Sequence, residues 1–274
     1  MSAPSLLARL GLELALDPER LLAYGALGAA RVVPVFTLAP FFGGRLVPAT
    51  VRVAIAVTFV ALVFPAVTAG APGSPLAALG PLGFGALLLK EVVLGALLGW
   101  LAAMPFWAAE AAGRLVDTAR GAANQELYVP QLGTQSSPLG DFSLQLAVVV
   151  FFAVDGHLLF LRALAASYEA VPVLAAPAAL ESGAIGALAV AATGHLVLAA
   201  LGLAAPVLAA LLLADLALGL VNRVSPHVQV YFLGMPAKAV LGVLVFLLAL
   251  SGFVTALRGE MGLVLQQLTG ALGR

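Results

Sequence analysis

Apolar runs long enough to cross a bilayer, roughly 20 residues each, recur along this chain at about 21–42, 46–69, 82–112, 142–165, 183–221 and 230–257. The breaks between them carry turn chemistry: Gly43-Gly44-Arg45, Ala71-Pro72-Gly73-Ser74-Pro75, Val171-Pro172 to Pro177, and Asn222-Arg223-Val224-Ser225-Pro226. In lipid, backbone groups must be satisfied within the segment, so runs of this kind make helices joined as hairpins. The pattern predicts an all-α integral membrane protein of about six apolar helical segments, a single membrane-embedded domain over 1–274. The fifth run is too long for one simple span and contains Pro206, so a kink, a steep tilt or two pieces are all open. Pro34, Pro40, Pro105 and Pro236 also fall inside apolar runs, where a missing donor needs a neighbouring helix or water.

Before the first run, Leu6, Leu10 and Leu14 share one helical face, and Arg9 and Glu13 are spaced as a helix-surface ion pair. That favours a short interfacial helix over 1–20 rather than a cleaved signal peptide. Asp17-Pro18 then reads as an N-cap followed by proline at the first helical position.

One stretch breaks the pattern. Residues 113–141 are long, polar and nearly neutral, between two strongly apolar runs. Connections of that length without their own structure are uncommon and usually functional or disordered. Leu127, Tyr128, Val129 and Leu132 argue against simple disorder. The stretch is either a surface loop or a segment buried by protein or lining a watery path.

Composition sharpens the class. Hydrophobic residues make up 62% and charged residues 9%, far from the half and quarter of a soluble domain. Formal net charge is zero, with 13 basic and 13 acidic residues, so nucleic-acid binding has no electrostatic support. No cysteine is present, which excludes disulfide and thiol chemistry. The positive-inside rule gives no orientation: Arg9, Arg20, Arg162, Arg258 and Arg274 balance Arg45, Arg52, Arg114, Arg120 and Arg223.

Several ionisable residues lie inside the apolar runs: Arg31, Lys90, Glu91, Glu110, Asp155, Arg162, Asp215 and Lys238. Each costs on the order of 2.5–3.5 kcal/mol at a helix centre. Lys90 and Glu91 are adjacent, about 100° apart on a helix, and the expectation is that they do not neutralise each other. Arg31, Lys90, Glu91, Asp215 and Lys238 are therefore candidate charge partners across helices or subunits, unless the runs end sooner and place them at the interface. Gly95 and Gly99 make a small-xxx-small pair, best read as helix packing.

Catalytic readings find no support. His157, His195 and His227 lack metal-ligand spacing, and no nucleophile elbow or phosphate-binding glycine loop occurs. Asp155-Gly156-His157 reads equally well as a turn. No catalytic residue, metal or cofactor is expected.

As motifs, the chain resembles the T/R family of type III secretion export-gate subunits (SctT of injectisomes, FliR of flagella), from about Arg31 to Phe246. The resemblance rests on Arg31-Val32-Val33-Pro34 with Ala39-Pro40-Phe41-Phe42-Gly43, on Val47-Pro48 and Arg52, and on Lys90-Glu91 with Gly95 and Gly99. It continues through Ala112-Gly113 to Asp117, Arg120-Gly121-Ala122, and Gln135-Ser136-Ser137-Pro138-Leu139-Gly140. Ser167-Tyr168, Val171-Pro172, Leu213-Ala214-Asp215, Asn222-Arg223, Ser225-Pro226 and Leu233 to Lys238 complete it. The Arg120-Gly121-Ala122 and Gln135 to Gly140 pieces look closer to the injectisome branch. Val129-Pro130 departs from the Asp-Pro that family members often carry.

The resemblance implies a bacterial inner-membrane subunit that joins P/R-type and Q/S-type subunits and other export components around a channel for unfolded secreted proteins. It also implies that 113–141 helps to plug the closed channel, making Gly113, Asp117, Arg120, Gly121, Leu127, Tyr128, Pro130, Gly133, Ser136, Ser137 and Pro138 candidate plug residues. The rival is a polytopic secondary transporter of unknown substrate, which should show two matching halves with broken helices; no convincing repeat is visible.

Overall fold

A computed structural model describes residues 18–42, 47–69, 80–121, 128–129, 134–135, 137–175, 182–225 and 230–272. Its helices are α1 (Pro18–Leu38), α2 (Ala49–Ala69), α3 (Gly80–Ala119), α4 (Pro138–Ala153), α5 (Gly156–Ala170), α6 (Ser182–Val224) and α7 (Val230–Leu272), with one 3-10 turn at Pro40–Phe42. Two short strands, β1 (Tyr128–Val129) and β2 (Thr134–Gln135), pair antiparallel with Tyr128 opposite Gln135. Of the expected interfacial helix over 1–20, residues 1–17 lie outside the described residues and 18–20 open α1; the turns at 43–45 and 71–75 also lie outside them.

Local chemistry sets the ends. Pro18 opens α1, where its missing donor costs nothing, and Ala39-Pro40 closes it because the residue before a proline disfavours the helical region. The internal proline of α1, Pro34, is accommodated within the helix, and Thr37 Oγ1 donates to the Val33 and Pro34 carbonyls at 3.0 and 2.8 Å. Ser137 caps α4, its side chain accepting from the Gly140 amide, with Pro138 following.

The structure corrects several expected boundaries. The third run is helical over Gly80–Ala119, so Gly113 to Ala119 belong to a helix and not to the polar connection. The fourth run is two helices, because Asp155 takes a left-handed conformation (φ 55°) and ends the first. Asp155-Gly156-His157 is therefore a turn. The fifth and sixth runs are single helices of 43 residues, with Pro206 and Pro236 inside them. Such helices are about 64 Å long, twice a bilayer's roughly 30 Å core. Each must tilt strongly or extend beyond the core.

The chain divides into two compact units. In the first, Met1–Ala103 with Asp155–Val190 and Val264–Arg274, α1 packs on α2 and α3 at small residues. A Cβ on Gly28 would meet Val60 at 3.0 Å, one on Gly99 would meet the Val35 Cα at 2.9 Å, and one on Gly95 would run into the Arg31 carbonyl. These contacts are what the Gly95/Gly99 spacing serves. Phe36, Phe42, Phe41 and Phe160 stack beside them, the Phe36 and Phe42 rings 3.8 Å apart.

The second unit comprises Met104–Val154 and Ala191–Leu263. Here α3 and α4 approach backbone to backbone: a Cβ on Gly113 would collide with the Leu139 carbonyl and the Gly140 Cα. Phe106 meets Phe151 edge to face at 5.3 Å. Ala108, Ala109, Ala112, Val116 and Ala147 are buried around that contact.

Candidate functional site

Two charged clusters stand out, one in each unit. In the first unit, Arg31 of α1 is fully buried and uses all its donors. Nε donates to Glu91 Oε2 at 2.6 Å and Nη2 to Glu91 Oε1 at 3.1 Å, a bidentate pair between α1 and α3. Nη1 donates to the Ser167 carbonyl (2.7 Å) and hydroxyl (3.1 Å), and Nη2 also reaches the Val171 carbonyl at 2.7 Å. The guanidinium lies 4.3 Å from the centre of the Tyr168 ring, whose hydroxyl donates to the Gly28 carbonyl at 2.8 Å.

Lys90 completes the cluster. Its Nζ lies 2.8 Å from Glu91 Oε1 and donates to the carbonyls of Pro172 (3.0 Å), Val173 (2.8 Å) and Ala175 (3.1 Å). The expectation that these neighbours could not pair was wrong. A 100° offset separates their Cβ atoms, but two long side chains can bend toward one point.

Two cations face one carboxylate, so the cluster carries one excess positive charge in an apolar interior. The compensation comes from one piece of chain. All five carbonyl acceptors belong to the end of α5 and the turn after it. Arg31 takes the Ser167 and Val171 carbonyls at the C-terminal end of α5, where the helix dipole favours a cation, and Lys90 takes three carbonyls of the turn that follows. Sequence reasoning quoted Ser167-Tyr168 and Val171-Pro172 as motif pieces but gave them no part in the charge network. Their function as acceptors lies in backbone atoms, which residue identity does not display.

Asp215 and Lys238 also come together, Nζ lying 2.7 Å from Oδ1 and 2.9 Å from Oδ2. This pair differs from the first because the Asp215 side chain is 51% exposed. Glu110 pairs along α3 with Arg114, four residues on, at 2.6 Å.

The second cluster stands at the base of the α3–α4 connection. Asp117, buried in the last turn of α3, takes Arg120 on Oδ1 and accepts from Ser137 Oγ (2.6 Å) and the Leu139 amide (2.9 Å) on Oδ2. Gly121 follows in a left-handed conformation (φ 84°) that only glycine adopts without strain. Of the other candidate plug residues, Gly113 packs α3 on α4 and Pro138 opens α4, while Tyr128 pairs in β1. Leu127, Pro130, Gly133 and Ser136 lie outside the described residues. Among the described residues, no group of three or more His, Asp or Glu is placed to hold a metal ion.

A sequence profile of the family described as bacterial export proteins, family 1, matches residues 22–264. The chain belongs to that family. Its relatives come from both of the branches that the motifs resemble. The Yop proteins translocation protein T of Yersinia pestis is 38% identical over 162 residues, covering 59% of this chain. The match spans only 62% of the length of that relative. The surface presentation of antigens protein SpaR of Salmonella typhimurium is 30% identical over 240 residues, 85% of each chain. The flagellar biosynthetic protein FliR of Bacillus subtilis is 26% identical over 242 residues, 88% of this chain and 92% of its own. Like its family, this chain is a multi-pass protein of the bacterial inner membrane: among the described residues five helices are long and apolar enough to cross a bilayer, or six if α4 and α5 form one broken span.

Proposed function

We propose that this family member is the T/R subunit of a type III secretion export gate, forming part of the entry channel for unfolded secreted proteins together with P/R-type and Q/S-type subunits. The family match over 22–264 carries this reading. The balance of positive charge across the apolar runs supports it, because a subunit built into a larger assembly need not follow the orientation rule of a free bundle.

The part of 113–141 that connects α3 to α4 then acts as the resting plug. A channel wide enough for an unfolded chain leaks ions unless something fills it. The filler must be removable, which suits a polar, nearly neutral connection with glycines at 121 and 133. The test is a deletion between Gly121 and Gly133 in cells that express the whole gate. Resting ion leakage should rise while the gate still assembles and co-purifies with its partner subunits. Unchanged leakage in an assembled deletion mutant would leave the segment a surface loop.

A further inference from the structure

The α3–α4 connection leaves and re-enters the helices at one carboxylate. Asp117 is 4% exposed. Its Oδ1 lies 2.6 Å from Arg120 Nη2 and accepts from Nε at 2.7 Å. Its Oδ2 holds Ser137 and Leu139, twenty and twenty-two residues on. Ser137 is the N-cap of α4, donating to Asp117 while accepting from the Gly140 amide at 3.2 Å. Asp117 thus supplies the negative charge that a helix N-terminus favours. Arg120 adds a third anchor: its side chain lies along Gly242 of α7, where a Cβ would stand 3.3 Å from the Arg120 Cβ and 3.4 Å from its Cδ.

Resting on the plug reading above, we propose that Asp117 is the positioning residue of the plug, a staple that keeps the neck of the 120–137 connection closed throughout export. Three observations carry this. The charge-assisted bonds are partly buried, where they are stronger than in water. Below them, Gly113 seats α3 directly on the Leu139 and Gly140 backbone, so the helices cannot part without breaking a close-packed contact. Immediately beyond them, Gly121 is the first residue with left-handed backbone freedom. Plug movement therefore begins at Gly121, above a neck that stays shut, and does not require α3 and α4 to separate.

The chain has no cysteine of its own, which makes crosslinking clean. In cells expressing the whole gate, Asp117→Asn should raise resting ion leakage several-fold at unchanged assembly, and Asp117→Glu should restore part of the seal. The double variant Asp117→Cys/Ser137→Cys should leak when reduced, and seal again when oxidised with export intact. If the oxidised gate seals but export stops, the neck must open and the proposal is overturned. Failure of the two cysteines to crosslink in the resting gate overturns it as well. Should Asp117→Asn fail to assemble, Gly242→Leu displaces Arg120 without touching the carboxylate and should leak in the same way; a tight gate there counts against the staple. Leakage from the Gly121–Gly133 deletion but not from Asp117→Asn overturns the staple and leaves the plug reading standing. No leakage from either, in assembled gates, removes both.

Discussion

The cluster at Arg31 and the cluster at Asp117 use the same chemistry to different ends. At Arg31, three charged side chains are sealed from solvent, with 1% or less of each exposed. Their excess positive charge is held by backbone carbonyls of one helix end and the turn after it. Removing any partner strands a charge that cannot reach water. At Asp117 one anion meets one cation, the side chains are 6% and 13% exposed, and two further donors come from the start of α4. Here the charges balance one to one, and the loss of one bond leaves the carboxylate with its other partners. The first arrangement fixes the packing of α1 on α3, and the second ties the end of α3 to the start of α4.

The largest effect should follow from breaking the first cluster. Glu91→Ala leaves Arg31 and Lys90 facing each other without an anion, at a cost of roughly 3–5 kcal/mol for a buried pair that loses one partner. Subunit level in membranes and recovery of the assembled gate should both collapse, and secretion should fall with them. Normal assembly of the variant would mean that water reaches the cluster. Gly95→Ala attacks the same cluster through the backbone, since its methyl group would strike the Arg31 carbonyl. Overpacking of this kind costs roughly 1–3 kcal/mol. A lower thermal midpoint of the purified gate is expected, and an unchanged midpoint would show that α1 and α3 can move apart freely.

How much of this was legible beforehand depends on the kind of atom involved. Hydropathy located the apolar runs because lipid-crossing helices need length and little else, and Arg31, Lys90 and Glu91 were conspicuous as charges in apolar surroundings. Their arrangement was not legible, because five of the acceptors are backbone carbonyls at the end of α5 and in the turn after it. That end falls at Val171-Pro172, a break the sequence marks, yet nothing in the residue types names the carbonyls as acceptors. The helix boundary at Ala119 was missed for a related reason. Gly113, Arg114 and Asp117 look like loop residues by polarity, yet glycine there serves close packing, the arginine pairs along the helix, and the aspartate faces the start of α4. Polarity alone cannot separate a loop from a helix end that binds one.

A smaller effect belongs to the edge of the second cluster. Gly121→Ala forces a side chain into the left-handed region at a cost of about 1–2 kcal/mol. Because Gly121 lies just past the staple, the strain should show as increased resting leakage with near-normal assembly. Loss of assembly instead would place Gly121 in the fixed part of the fold and blur the line drawn between the two clusters.

The smallest effect should come from the pair that belongs to neither class. Asp215 and Lys238 make a close contact, but the carboxylate is half exposed and both residues lie near the α6–α7 connection, nine and eight residues from the helix ends at Val224 and Val230. On helices much longer than a bilayer is thick, that position is compatible with the watery margin, where an ion pair contributes only about 0.2–1 kcal/mol. A double-mutant cycle with Asp215→Asn and Lys238→Met, read as thermal stability of the assembled gate, should give a coupling in that range. The charge-reversed double variant Asp215→Lys/Lys238→Asp should support export. A coupling of several kcal/mol would mean that another subunit covers this face and dries it. The pair would then resemble the Arg31 cluster, with burial supplied by assembly and not by the chain's own fold.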